Sequence, residues 1–111
     1  MIRDNWHLNN YQMQAREFAI YPERMHIVYP ALGLAGEAGE VADKVKKIYR
    51  DGRDDPRFRG EIAKEIGDVL WYCAVLADDL GFSLQQVAEM NIHKLKSRKV
   101  AGTIGGSGDD R

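Results

Sequence analysis

The segment DGRDDP, at residues 51–56, separates two long stretches with helical periodicity and constrains this chain more than any other feature. Gly, Asp and Pro favour turns and interrupt helices, so the helices on either side must end and begin here. A connection this short makes the two consecutive helices antiparallel neighbours. The sequence therefore predicts a helical hairpin at the centre of the fold.

Apolar periodicity and helix-stop signals predict four helices and no strand. Pro30 suits the first turn of the second helix, and Gly81 is placed as the C-terminal cap of the third. Ser83 and Gln86 have the spacing of a capping box at the start of the fourth. The predicted helices cover residues 10–20, 30–50, 56–80 and 83–99. The expected fold class is all-α, an antiparallel bundle of about four helices.

Size and composition limit the domain count and the partners. The 111 residues suit one domain, placed at residues 1–100, followed by a glycine-rich tail at 101–111. A domain of this size buries a modest core, so we expect homo-oligomerisation to complete the bundle. The formal net charge of −1 argues against a nucleic acid polymer as partner. With Cys73 as the only cysteine and no apolar run of about 18 residues, we expect a cytoplasmic protein without a membrane span.

Two pairs of carboxylates lie at helical spacing beside apolar positions. Glu37 and Glu40 belong to the second predicted helix, and Glu65 and Asp68 to the third. Residues at equal height in an antiparallel hairpin have position numbers with a constant sum. Glu37 with Asp68 and Glu40 with Glu65 share one such sum, which is centred in the predicted turn. We therefore expect all four side chains to converge at one level of the hairpin.

Converging carboxylates repel one another unless a cation joins them. Mg²⁺ takes oxygen ligands and bridges carboxylates to substrate phosphates, with Mn²⁺ as a substitute. The absence of histidine from the four argues against zinc or copper, and Glu89 with His93 lacks the spacing of a di-iron bundle. Spacing alone leaves an alternative, in which the carboxylates are surface groups paired with nearby lysines. Those lysines are Lys44, Lys47 and Lys64.

Other side chains are candidates for contact with a substrate. Tyr72 shares the acidic edge of the third helix. Asn91 lies near the centre of the apolar arc of the fourth helix, where an amide either sets the packing register or reads a substrate group. Lys94 and Arg98 flank that arc; they either meet phosphate or interact with the helix dipole. Lys47, near the end of the second helix, has the same ambiguity.

Three segments carry a family resemblance. LGLAGEAGEVADKVKK at 32–47, EIAKEIGDVLWY at 61–72 and NIHKLKSRK at 91–99 resemble the MazG-like all-α nucleotide pyrophosphohydrolases. The metal motif of that family, Glu-x-x-Glu, a spacer and Glu-x-x-Asp, matches the two acidic pairs. The likeness extends to NNYQMQARE at 9–17 and to GGSGDDR at 105–111, so it covers nearly the whole chain.

The resemblance implies Mg²⁺-dependent hydrolysis between the α- and β-phosphates of a nucleoside triphosphate, which releases a monophosphate and pyrophosphate. It also implies a homodimer or homotetramer whose sites lie partly at the subunit interface, and a role in clearing surplus or non-standard nucleotides. The residues that it assigns to metal are Glu37, Glu40, Glu65 and Asp68, and those that it assigns to substrate are Asn91, Lys94 and Arg98.

Charge then suggests the mechanism. Mg²⁺ neutralises phosphate oxygens and lowers the pKa of a bound water, and a glutamate that is not fully used as a ligand takes the proton of that water. Glu61 lies one turn before Glu65, and either is a candidate for this base. Two alternatives stay open. One keeps the site but narrows the substrate to dUTP or dCTP, and the other is a non-enzymatic helical interaction module whose acidic stripe binds a basic partner.

Overall fold

The computed structural model describes residues 7–52 and 54–102. Within these ranges the chain forms four α-helices and no strand, which confirms the predicted all-α class. The elements are α1 (Leu8–Arg16), a 3₁₀ turn (Glu23–Met25), α2 (Val28–Asp51), α3 (Pro56–Asp79) and α4 (Leu84–Ala101). Most of the glycine-rich tail predicted at 101–111 lies outside the described residues, and its separation from the domain stays a prediction.

The turn between α2 and α3 is built by the residues that predicted it. Gly52 ends α2 in the left-handed region, with φ of 64°. Asp55 then caps α3, because its side chain accepts hydrogen bonds from the backbone N–H groups of Arg57 and Phe58. Pro56 occupies the first position of α3, where no N–H is needed. Residues of the turn itself therefore end α2 and begin α3.

The turn between α3 and α4 also follows the predicted signals. Gly81 has φ of 85°, and its N–H donates to the carbonyl of Asp78 while that of Phe82 donates to Ala77. This pair of bonds is a Schellman motif. The capping box is confirmed, since the Ser83 hydroxyl accepts from the Gln86 N–H and the Gln86 side chain accepts from the Ser83 N–H.

The first helix is shorter than predicted. It ends at Arg16, and the next residues continue through N–H bonds to carbonyls three positions back, from Phe18 to Ala15 and from Ala19 to Arg16. The Ala15 carbonyl also accepts a bond from the Trp71 indole, at 3.0 Å. A contact with α3 therefore helps to end α1, and periodicity within the sequence gives no sign of such a contact.

The second helix begins at Val28, two residues before the predicted start at Pro30. Ile27 precedes it with φ of 70° and ψ of −55°, and the Val28 N–H donates to the carbonyl of His26 at 2.7 Å. These values define a γ-turn in a conformation that is strained for a β-branched residue. Pro30 remains in the first turn of α2, so its missing N–H costs no helix bond.

The core is small and lies where α1 crosses the end of α3 and the start of α4. Ala15, Ala74, Val75 and Leu84 form its buried cluster. Gln12 is buried among these helices, and its amide donates to the Ala74 carbonyl at 3.0 Å and to the Phe82 carbonyl at 3.1 Å. Its oxygen accepts from the Leu84 N–H at 2.9 Å. One side chain therefore joins three helices and leaves its own polar atoms satisfied.

Much of the apolar surface is left uncovered within the described chain. On α3, Ile66 and Leu70 are 54% and 40% exposed, although both belong to a helix with a strongly apolar face. On α4, Met90 and Ile92 are more than half exposed. Among the described residues no helix combines the length and the apolar character needed to cross a membrane.

Candidate functional site

Three carboxylates from the hairpin meet at one level of α2 and α3. Glu37 extends from α2, and Glu65 and Asp68 extend from α3. One oxygen from each lies within 4.8 Å of the others. Three of the four residues predicted to bind metal are therefore brought together. The register of the hairpin explains the convergence, because Gly33 and Tyr72, at the next level along, are also in contact.

The electrostatics of this group follow from like charges at short range. Desolvation raises the pKa of Glu37, and the negative charge of Asp68, a hydrogen bond with Glu65 and the charges of Glu65 and Glu40 raise it further. The folded protein thus holds the Glu37 carboxylate close to like charges. Glu40 is exposed and lies outside the group of three, yet it is close enough to contribute to their repulsion.

Lysines adjoin the carboxylates without neutralising the whole group. The Lys44 ammonium lies 3.7 Å from Glu65, so part of the alternative surface-pairing interpretation applies to this one glutamate. Lys47, predicted to contact substrate, pairs with Asp43 at 2.9 Å. This bond raises the pKa of Lys47, so its ammonium stays charged over a wide pH range.

Glu61, the other candidate base, lies on α3 one turn from Glu65 and is half-buried. It lines a surface cavity of about 210 Å³ together with Lys44 and Lys47. The cavity therefore joins a carboxylate with two ammonium groups beside the acidic cluster. Such a mixed lining suits an anion that must lie close to a proton acceptor.

Tyr72 lies against α2 immediately beside the carboxylates. A Cβ atom on Gly33 would overlap the Tyr72 ring, so this contact requires glycine at position 33. Desolvation, followed by the charge of Tyr29 and a hydrogen bond with it, raises the pKa of Tyr72, and Glu37 and Asp68 contribute to the same shift. The phenol is therefore neutral and close to the acidic group.

An aromatic pocket opens on the other side of Tyr72, with a volume of about 220 Å³. The rings of Tyr21 and Tyr29 are stacked with centroids 5.0 Å apart and planes 17° apart. Trp71 and Tyr72 meet edge to face at 4.9 Å, and Phe18 adds a further aromatic wall. Flat apolar faces of this kind suit a planar aromatic ligand.

Residues 30–101 match the model of the MazG nucleotide pyrophosphohydrolase domain. This range is well over half of the 111 residues and contains nearly all of α2, α3 and α4. The chain belongs to the MazG family. The resemblance predicted from the sequence is thereby confirmed, and the convergence of Glu37, Glu65 and Asp68 lies within the matched range.

Two relatives extend the comparison. The chain is 45% identical to the Gene 37 protein of Mycobacterium phage L5 over 113 aligned residues, which cover 95% of this chain and 99% of that protein. It is 38% identical to the uncharacterized protein YvdC of Bacillus subtilis (strain 168) over 73 residues, or 59% of this chain and 68% of YvdC. No solved structure matches the chain.

The MazG domain also contains the three substrate residues predicted on α4. Arg98 is buried, with 5% of its surface exposed, and Lys94 is half-buried. Asn91 is exposed, because the described chain leaves that part of α4 uncovered. The roles of all three toward a substrate stay predictions.

The sequence interpretation missed residues that shape the site through long-range contacts. Gly33 lies in the segment that resembles the family, but only the structure shows that its missing side chain admits the Tyr72 ring. Tyr21 received no role either, because it lies in an irregular segment without periodicity. Asp79 was overlooked as one of two adjacent acids at the end of α3, yet its side chain is completely buried. A buried charge is costly, but burial cannot be read from sequence spacing.

Proposed function

We propose that this chain is a Mg²⁺-dependent nucleoside triphosphate pyrophosphohydrolase, which converts a (d)NTP to a (d)NMP and pyrophosphate and contributes to nucleotide-pool clearance. The observation that carries the proposal is the meeting of Glu37, Glu65 and Asp68 oxygens within 4.8 Å inside a MazG domain. Oxygens from two helices at this separation form a donor set that one divalent cation could join.

The donor set fits a hard divalent cation. All three groups offer carboxylate oxygens, which Mg²⁺ and Mn²⁺ prefer. Desolvation raises the pKa of Glu37, and the charges of Asp68, Glu65 and Glu40 raise it further; a cation would relieve this second contribution. In this proposal Glu37, Glu65 and Asp68 hold the ion, and Glu40 is a fourth ligand. A divalent cation held there supplies positive charge beside the phosphate oxygens and makes water a stronger acid.

We assign the remaining site residues to contacts with either the polyphosphate or the base of the substrate. Lys44 and Lys47 line the cavity beside the carboxylates, where their charges would attract the polyphosphate. Asn91, Lys94 and Arg98 are proposed as further substrate contacts. The aromatic pocket is proposed to take the base, with Tyr72 between the base and the metal ligands. In this proposal the anhydride bond of the substrate would lie between the aromatic pocket, which takes the base, and the carboxylates, which hold the cation.

Proton transfer is assigned to a glutamate of α3. Glu61 is half-buried one turn from Glu65, beside the lysine-lined cavity, and is free of the group of three that would hold the ion. It is therefore the stronger candidate for accepting a proton from the attacking water, and Glu65 is the alternative. The lysine charges would stabilise the departing pyrophosphate.

Oligomerisation is part of the same proposal. Ile66 and Leu70 expose apolar surface on α3, and Leu32 is 69% exposed on α2. Covering this surface with a second copy would protect it from water and enlarge a small core. A homodimer or homotetramer is the proposed form, and a cytoplasmic setting is the proposed location. Light scattering coupled to size-exclusion chromatography tests the assembly.

The test is pyrophosphate release from a panel of dNTPs and NTPs, with and without a chelator. We expect release that requires Mg²⁺, and we expect Asp68→Asn to abolish it while the helical circular dichroism is retained. Glu89→Gln, a substitution on the exposed surface of α4, is the matched control and should stay active. Full activity of Asp68→Asn would remove that residue from the site.

The same panel separates the alternatives. Activity confined to dUTP or dCTP would narrow the substrate without changing the site. Absence of pyrophosphate release from every nucleotide, with or without chelator, would overturn the enzymatic proposal and favour the interaction module.

A further inference from the structure

A second carboxylate centre lies at the far end of α3, away from the acidic cluster. The Asp79 side chain is completely buried, and its oxygens accept hydrogen bonds from the Arg16 guanidinium at 2.7 Å and from the Tyr21 hydroxyl at 2.8 Å. The backbone N–H of Ile27 donates to the same carboxylate at 2.8 Å. Three donors, one from the end of α1 and two from the segment between α1 and α2, therefore converge on one charge.

Those contacts fasten the irregular segment between α1 and α2 at two points. Tyr21 lies in the middle of the segment, and Ile27 forms the strained γ-turn at its end. His26 is also held, since its Nε2 lies 3.2 Å from the Arg16 guanidinium, which can only donate. A β-branched residue with positive φ persists only where its surroundings enforce the conformation. The hydrogen bond from the Ile27 N–H to Asp79 is one contact that holds this conformation, beside the γ-turn bond from Val28 to His26.

The fastened segment forms one wall of the aromatic pocket. Tyr21 stacks on Tyr29, and the Tyr29 ring lies 6.4 Å from that of Tyr72, which adjoins the metal-ligand candidates. Trp71 of α3 also lines the pocket. The Tyr21 hydroxyl is bound to Asp79 while its ring faces the pocket, so one side chain joins the buried charge to the proposed base site.

We propose that Asp79 is a positioning residue for the substrate, which holds Tyr21 and the Ile27 turn in the positions that form the wall of the aromatic pocket proposed to take a nucleobase. The inference rests on the proposed function for the identity of the ligand. Asp79 itself touches no reacting group in this scheme. It acts through Tyr21, and its loss should weaken binding of the base more than it slows chemistry at the phosphates.

The first experiment needs no substrate. In a Trp6→Phe background, Trp71 is the only tryptophan, and iodide quenching of its fluorescence reports how open the pocket is. We expect the quenching constant to rise about twofold in Asp79→Asn and in Tyr21→Phe, because the segment is released. Asp78→Asn is the matched control, since Asp78 is half-exposed and makes one longer contact with Arg16, at 3.3 Å. Unchanged quenching in both test variants would overturn the inference.

The second experiment separates positioning from general loss of structure. With the preferred nucleotide and saturating Mg²⁺, Tyr21→Phe should raise KM about tenfold and leave kcat within about threefold, because the carboxylate cluster is untouched. Tyr21→Phe keeps the ring and removes only the hydroxyl, so it stays informative if Asp79→Asn fails to fold. A fall in kcat with unchanged KM would contradict a positioning role, because it indicates a smaller folded fraction.

The two arms fail separately. Absence of hydrolysis by the unmodified protein would overturn the proposed function and the kinetic part of the inference. The quenching experiment would still decide whether Asp79 holds the wall of the pocket in place. Normal hydrolysis combined with unchanged KM in Tyr21→Phe would overturn the positioning role and leave the proposed function standing.

Discussion

Two groups of carboxylates, one around Glu65 and Asp68 and the other at Asp79, lie on α3 in opposite electrostatic surroundings. Glu65 and Asp68 lie beside Glu37, where desolvation and like charges raise the pKa of Glu37. Burial also acts to raise the pKa of Asp79, but the bonds from Ile27, Tyr21 and Arg16 outweigh it and hold the pKa below its usual value. Like charges therefore surround Glu37, whereas hydrogen-bond donors of the protein, one of them the Arg16 guanidinium, surround Asp79.

The difference separates a site for a ligand from a site for structure. A charge satisfied by the protein stabilises the fold and has no remaining capacity for a partner. Like charges held together destabilise the fold until a ligand neutralises them, and natural active sites commonly accept such a cost. Each of the following changes tests this contrast between the acidic cluster and the Asp79 centre.

The largest effect is expected when the acidic cluster receives an internal cation. Asp68→Lys places an ammonium where the metal would lie, so pyrophosphate release should fall by about 1,000-fold or more. The melting temperature in chelator should be equal to or higher than that of the unmodified protein, because the repulsion is relieved. Glu89→Lys makes the same charge change on exposed α4 and should retain activity. Substantial turnover by Asp68→Lys would show that the cluster is not the metal site.

The Asp79 centre should respond in the opposite way. Asp79→Asn removes the negative partner of Arg16 from a buried position and should cost about 2–3 kcal/mol of unfolding free energy. For a domain of this size the loss corresponds to about 10 °C or more in melting temperature. Asp78→Asn should change the unfolding free energy by less than about 0.5 kcal/mol, since both partners are partly exposed. Equal effects of the two substitutions in urea titrations would remove the distinction.

Divalent cations should stabilise the protein through the acidic cluster alone. Mg²⁺ or Mn²⁺ at about 100 times its dissociation constant should add about 2.7 kcal/mol to the unfolding free energy of the unmodified protein. The gain should persist in Asp79→Asn and disappear in Asp68→Asn, as followed by thermal melting with and without chelator. A gain that persists in Asp68→Asn would place the ion elsewhere.

The smallest effect is a difference in pH dependence. Because the folded-state pKa of Asp79 is lowered, its contribution is complete above the unfolded value of about 3.9 and is lost as the pH falls through the folded pKa. The folded-state pKa of Glu37 is raised, so the effect of pH on its contribution to stability is the opposite. Its ionisation lowers the free energy of unfolding as the pH rises through that pKa.

Urea titrations between about pH 3 and 7 compare the two groups through their amide variants. Asp79→Asn should approach the stability of the unmodified protein at the acid end. Glu37→Gln should match or exceed the unmodified protein near neutrality and lose that advantage on acidification. Parallel curves for the two variants would contradict the assigned directions of the pKa shifts.

Local signals predicted the helical part of the structure well. The Gly52 and Asp55 turn, the Gly81 cap and the Ser83 capping box lie where sequence rules place them, because each depends on residues within a few positions of one another. The antiparallel register followed from a short turn, and it brought Glu37 and Asp68 to one level. The end of α1 was predicted too late, because a contact with Trp71 on another helix contributes to it.

The sequence by itself determined the helices, their caps, the hairpin and the family, because backbone hydrogen bonding and short turns respond to neighbouring residues. Only the tertiary structure decided that Glu37 lies beside like charges and that Asp79 accepts hydrogen bonds from donors of the protein. That distinction depends on donors such as Arg16 and Ile27, which are distant from Asp79 in the chain and meet it only after the helices pack. The burial of a carboxylate and the donors that surround it depend on how the helices pack, and no local pattern in the sequence specifies them.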